Sequence, residues 1–171
     1  MNHQLSIAIH EAGHAVAHVR LGILPVSVTI VECSETFGHS TAEGADSVWT
    51  SDGAADQVIS YCAGYAASIA AGEDNDAASH GCGDDFEHAR RLIEFWALEG
   101  DLEAWKARAV ALMSSPENVA AVALIADWLM QHGTLDGQLV DVLVDRSDGN
   151  VTDSELNRFL ALMAGSRGSA A

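Results

Sequence analysis

Residues 10–14 read His10-Glu11-Ala12-Gly13-His14, and this H-E-x-x-H pattern constrains the chain more than any other stretch. Two histidines four apart share one face of a helix, one turn from each other, so both imidazoles can meet at one ion. The flanking residues predict that helix. Leu5, Ile9, Ala12, Val16 and Val19 recur every three to four positions over Leu5–Leu21, the period of an amphipathic helix. Asn2 is positioned to cap its start, and Gly22 with Pro25 ends it.

Paired imidazoles suit the nitrogen preference and tetrahedral geometry of Zn²⁺. Glu11 sits beside the first histidine, where its carboxylate can take a proton from a water activated by the metal and pass it to a leaving amine. A catalytic zinc has three protein ligands and an open position. The extended metzincin pattern would put glycine at position 17 and histidine at position 20; Ala17 and Arg20 stand there instead, which excludes that class. His18 lies one turn beyond His14, and three successive turns of a straight helix do not converge on one ion, so His18 is expected to be a packed or supporting residue. For the third ligand, position alone leaves Glu73, Asp74, Asp76, His80, Asp84 and Asp85 open.

The rest of the chain reads as short strands followed by helices. Val26–Val31 is β-branched and partly alternating, and Phe37–Ala42 fits a second short strand. Glu43–Gly53 is polar and expected as loop. Helices are predicted over Asp56–Ala71, from Asp84 to about Leu98, over Asp101–Ser114 and over Pro116–Gln131. Asp84 with Glu87 has the spacing of a capping box, and Pro116 suits a first helical turn. Gln138–Val144 and Thr152–Ala164 add two more helices, and Gly165–Ala171 reads as a frayed tail. The stretch Asp148–Glu155 resembles half of an EF-hand loop. Val144 and Arg146 would stand at its first and third ligand positions and cannot bind Ca²⁺, so a Thr152/Glu155 capping box is the better reading.

With 171 residues, the chain is sized for a single domain. A formal charge of −17 repels phosphate backbones and anionic lipid, which argues against nucleic-acid and membrane partners. The three cysteines, Cys33, Cys62 and Cys82, match no C-x-x-C pattern and read as reduced thiols of a cytoplasmic protein. No secretory signal is visible, and the longest clean apolar run, Val119–Ala126, falls far short of the roughly 20 residues that span a bilayer. Cys82 reads as a small packed residue, with a redox-sensitive thiol as the alternative, and Trp49 as a candidate substrate or partner contact; Trp96, Trp105 and Trp128 fall on apolar helical faces.

His10-Glu-Ala-Gly-His-Ala-Val16 is similar to the opening motif of the peptidase domain of the FtsH family, membrane-bound ATP-dependent zinc proteases. The likeness continues in order. Pro25–Val31 and Phe37-Gly38 resemble the two strands after the motif helix. Ser60-Tyr-Cys-Ala-Gly-Tyr-Ala-Ala67 resembles the family's small-residue helix, and Gly81-Cys-Gly-Asp-Asp-Phe86 the segment that carries its ligand aspartate. Gly133-Thr-Leu-Asp-Gly137 resembles its C-terminal turn. The resemblance covers about residues 5 to 144. It implies a mainly α zinc-peptidase domain with a two- to three-stranded β element after the motif helix. One Zn²⁺ is implied on His10, His14 and Asp85, with Glu11 as base. At the first turn of a helix a carboxylate such as Asp85 is also electrostatically favoured.

Two departures stand out. No G-x-x-x-x-G-K-[ST] occurs in these residues, so the chain is expected to work without the ATPase module that feeds substrates in the family and without its membrane anchor. Ala66-Ala67-Ser68 stands where the family's helix carries an acidic Ala-Glu pair. The expected activity is therefore hydrolysis of flexible peptides or exposed protein segments, alone or delivered by a separate ATPase or adaptor, with a homo-oligomer left open. The competing expectation is a catalytically silent, zinc-stabilised interaction module descended from such a peptidase.

Overall fold

The computed structural model describes residues 2–31, 39–42 and 50–167. Cys33, Phe37, Gly38, Trp49 and the stretch from Glu43 lie outside the described residues. In chain order the elements are α1 (His3–Arg20), β1 (Pro25–Thr29), β2 (His39–Ala42), α2 (Ser51–Ala70), α3 (Asn75–Ser79) and α4 (Gly83–Phe95), then α5 (Leu102–Met113), α6 (Pro116–His132), β3 (Thr134–Asp136), α7 (Gly137–Ser147) and α8 (Asp153–Arg167). The chain is thus mainly helical with one small antiparallel sheet, ordered β2-β1-β3. No single helix among the described residues is long and apolar enough to cross a membrane.

Local chemistry sets the ends of α1. Asn2 Oδ1 accepts the Gln4 N–H at 3.2 Å, satisfying one of the orphan donors of the first turn. At the other end Gly22 takes φ +70°. Its N–H reaches the Val19 carbonyl while Ile23 N–H reaches the His18 carbonyl, a Schellman closure that needs a left-handed residue after the cap. The chain then turns into β1, whose Val28 is buried opposite the equally buried Leu135 of β3.

The core forms around α1, which packs between α2 and α6. Its contact with α2 is made of small residues. A Cβ on Gly13 would stand 2.6 Å from the Ala63 carbonyl oxygen and 2.6 Å from Ala67 Cβ, so the two backbones approach as closely as glycine allows. Larger side chains, among them Met113, Ile125, Leu129 and Leu143, fill the side formed by α5, α6 and α7. Arg20 ties the end of α1 to the other helices, donating to Asn118 at 2.7 Å and, through both terminal nitrogens, to Asp148 at 2.6 and 2.7 Å.

Several expected boundaries move. Helix α2 begins at Ser51, within the expected loop, because Thr50 caps it by accepting the Gly53 N–H at 3.0 Å. The Asp84/Glu87 capping box does not form. Cys82 is the N-cap residue of α4, without a side-chain cap bond, and Glu87 pairs with Arg91 one turn on. Helix α4 stops at Phe95 rather than Leu98, and α8 runs on to Arg167. The expected turn at residues 133–137 contains β3, held by pairing with β1 and by a 2.7 Å hydrogen bond between the Thr29 and Thr134 hydroxyls. The Thr152/Glu155 box does form: Glu155 Oε2 accepts from Thr152 N–H at 2.8 Å, and Thr152 Oγ1 accepts from Glu155 N–H at 3.3 Å. Asp148 and Asp153 of the EF-hand-like stretch are engaged by Arg20 and Arg146.

Candidate metal centre

His10 and His14 project from the buried side of α1 toward the first turn of α4, where Asp85 is the third helical residue. Their three donor atoms form a tight triangle. His10 Nε2 and His14 Nε2 are 3.1 Å apart, and each is 3.4 Å from Asp85 Oδ2. Two donors on a tetrahedral ion with bonds of about 2.0–2.1 Å stand about 3.3–3.4 Å apart. The two histidine–Asp85 edges match those of such a tetrahedron, and the 3.1 Å edge between the histidines is slightly shorter. Among the described residues this is the one cluster of three or more His, Cys, Asp or Glu that could hold a metal ion.

The surroundings prepare the ligands. His14 Nδ1 donates to the Ser60 carbonyl at 2.8 Å; a carbonyl can only accept, so in the neutral ring the proton sits on Nδ1 and the Nε2 lone pair faces the triangle. Gly64 clears the space in front. A Cβ there would lie 2.6 Å from both His10 Nε2 and His14 Nε2, so any other residue at 64 would collide with the donors. His10 Nδ1 faces the sulfur of Cys82 at 3.9 Å. The His10 and Asp85 side chains keep 18% and 25% exposure, so solvent reaches the group from that side, while Glu11 and His14 are buried.

Without an ion the three groups charge one another. Burial opposes a charge on His14, but Asp85, Glu11 and the Ser60 carbonyl outweigh it and raise its pKa to about 9. Burial likewise works against the Asp85 carboxylate, yet His14 and His10 hold it well below the usual carboxylate range. A carboxylate kept ionised beside imidazoles is an arrangement that a divalent ion could serve in place of a proton. Cys82 is pushed up to about 12 by burial and by Asp85, so its thiol stays protonated.

The other acidic and histidine candidates have different places. Glu73 accepts a 2.6 Å hydrogen bond from Ser6. Asp74 caps α3 by accepting from Ala77 N–H at 2.9 Å. Asp76 and Asp84 are exposed in the first turns of α3 and α4, and exposed His80 ends α3. His18 is buried, with its Nδ1 lacking a hydrogen-bond partner, as expected for a packed residue outside the ligand group. Trp105 is buried, while Trp96 and Trp128 are half-buried. A separate cavity of about 330 Å³, lined by Trp128, His132, Leu135 and Phe159 among others, shares no residue with the triangle.

Two contributors escape a reading of the sequence, the Ser60 carbonyl and Gly64, while Cys82, read there as a small packed residue, is buried and also faces His10. A glycine inside a helical pattern is the one local signal among them, because it weakens the helix and needs a reason. No family model matches the chain, and neither does any curated protein.

Proposed function

We propose that the chain is a zinc-dependent endopeptidase, similar to an FtsH peptidase domain. One observation carries this reading: the tetrahedral-edge triangle of His10, His14 and Asp85, built on a helix that places Glu11 between its two histidines. The donor set of two imidazoles and one carboxylate suits Zn²⁺ and leaves a fourth position open. Bound zinc supplies Lewis acidity at the scissile carbonyl and lowers the pKa of water. Glu11 takes the proton of the attacking water and returns it to the leaving amine. Asp85 and the two histidines hold the ion, and the Ser60 carbonyl keeps the His14 ring in the ligating tautomer.

The substrate is an extended peptide or an unfolded protein segment. Among the described residues β2 is an edge strand, paired only with β1, and offers its open side to a peptide backbone. A separate ATPase or adaptor delivers folded substrates, and the buried, unpaired Cys62 and Cys82 fit a reducing cytoplasm.

The test combines metal analysis with hydrolysis of a peptide pool. The wild type should purify with about one zinc and cleave in a chelator-sensitive manner. Glu11→Gln should retain the metal and lose at least about 100-fold in turnover. Zinc retained without any cleavage would assign the chain to a metal-stabilised interaction module instead. A purified protein that takes up no divalent metal would refute both.

A further inference from the structure

We propose that Cys82 is the positioning residue of His10, holding that imidazole in its ligating orientation and coupling it to the helix that carries Asp85. The inference rests on the zinc reading of the His10–His14–Asp85 group. A ligating histidine needs an acceptor for its second ring N–H, which fixes the tautomer and the ring plane. His14 has one in the Ser60 carbonyl at 2.8 Å. For His10 the group facing Nδ1 is Cys82 Sγ at 3.9 Å.

The sulfur is free to act as acceptor. Its S–H is donated to the Ala78 carbonyl at 3.2 Å, and its lone pairs are not used in capping, since Cys82 makes no side-chain cap bond to α4. With Nδ1–H directed at the sulfur, the Nε2 lone pair of His10 is the one turned toward Asp85 Oδ2, 3.4 Å away. The same residue also begins α4: its carbonyl accepts the Phe86 N–H at 2.9 Å. Cys82 thus joins α1, the carbonyl of α3 and the first turn of α4, and it is fully buried. Sulfur is a weaker acceptor than a carbonyl oxygen, which makes His10 the more loosely held of the two imidazoles.

The experiment compares the wild type with Cys82→Ala, Cys82→Ser and Cys62→Ala. Zn²⁺ affinity is read by competition with a chromophoric chelator, geometry by the absorption spectrum of the Co²⁺ form, and stability by melting of the metal-free proteins. Cys82→Ala should bind Zn²⁺ at least about tenfold more weakly and shift the Co²⁺ bands. Cys82→Ser, which keeps a hydroxyl acceptor, should recover part of that loss. Cys62→Ala removes an equally buried thiol outside the ligand group; it should lower the melting temperature and leave the affinity unchanged. Zn²⁺ affinity of Cys82→Ala within twofold of wild type, with the same Co²⁺ spectrum, would overturn the proposal, as would equal affinity losses in Cys82→Ala and Cys62→Ala. A thiolate-to-cobalt band in the wild type would overturn it by making Cys82 itself a ligand. A wild type that binds no metal would refute the zinc reading itself, and is told apart from these outcomes at the first titration.

Discussion

The two sides of the candidate metal centre are built differently. On one side α1 is buried without interruption from Glu11 to His18, and it meets α2 through Gly13, Ala63 and Ala67 at distances that leave no slack. On the other side α4, which supplies Asp85, buries only Ala89 along its own length. Its remaining anchors are half-buried: Phe86 stands edge-on to Tyr65 at 5.8 Å, and the Lys106 ammonium lies 5.0 Å from the Phe86 ring. The histidines are therefore set by rigid packing, whereas the carboxylate arrives on an element with little apolar surface to hold it. A metal that bridges the two sides contributes most to the weaker one, since a ligand stabilises whatever state it requires.

Two glycine substitutions sharpen the contrast at its strongest point. Gly64→Ala drives a Cβ into both donor nitrogens and should lower zinc affinity by at least about 100-fold, in line with the loss expected when ligand orientation is destroyed. Gly13→Ala meets the Ala63 backbone and the Ala67 Cβ rather than ligands and should instead reduce global stability by roughly 1–3 kcal/mol, the usual range for overpacking. Chelator titration and denaturant melts of the two variants separate these effects. If Gly64→Ala keeps full affinity, the donor triangle is not the metal site.

Metal removal should act unevenly. At a zinc concentration of about 100 times Kd, binding adds roughly 2.7 kcal/mol to the opening free energy of any segment whose unfolding releases the ion. Hydrogen exchange should show the amides of α4 losing protection first on chelation, with Glu11–His18 of α1 little changed. Uniform loss across both helices would erase the distinction between the two sides.

The smallest predicted effect concerns His18, on the rigid side. Burial, then the charge of neighbouring His14, lower its pKa from 6.5 to about 4. A base whose folded pKa is depressed contributes full stability above its unfolded pKa and loses it as protons bind the unfolded chain preferentially. The fold should therefore weaken as pH falls from about 6.5 toward 4, by something on the order of 2 kcal/mol. His18→Gln should flatten that part of the profile in melts of the metal-loaded and metal-free protein alike. An unchanged slope would place its origin in other groups.

Much of the helical frame is legible because it is written locally. Asn2, Asp101 and Ser115 cap the helices they precede by accepting backbone N–H groups two or three residues on. The Thr152/Glu155 box closes as its spacing predicts. The strand β3 and the start of α4 depart from the sequence reading for other reasons. Thr134–Asp136 has only three residues, and pairing with β1 alone makes it a strand. Asp84 has the chemistry of a cap, yet the cap position of α4 lies two residues earlier, at Cys82, whose buried sulfur is fastened to Ala78 and faces His10.

The apolar period of the first segment calls for one helix, and within it the spacing of His10 and His14 puts both imidazoles on one face, since the turn of an α-helix is a property of neighbouring residues. Which carboxylate completes the set is not a local property. Glu73, Asp74, Asp76, Asp84 and Asp85 are chemically equivalent candidates, and only the packing of α4 on α2 brings Asp85 Oδ2 to 3.4 Å from both nitrogens. That docking, the clearance at Gly64 and the sulfur behind His10 depend on contacts between distant segments, which hydrophobic periodicity and capping do not encode.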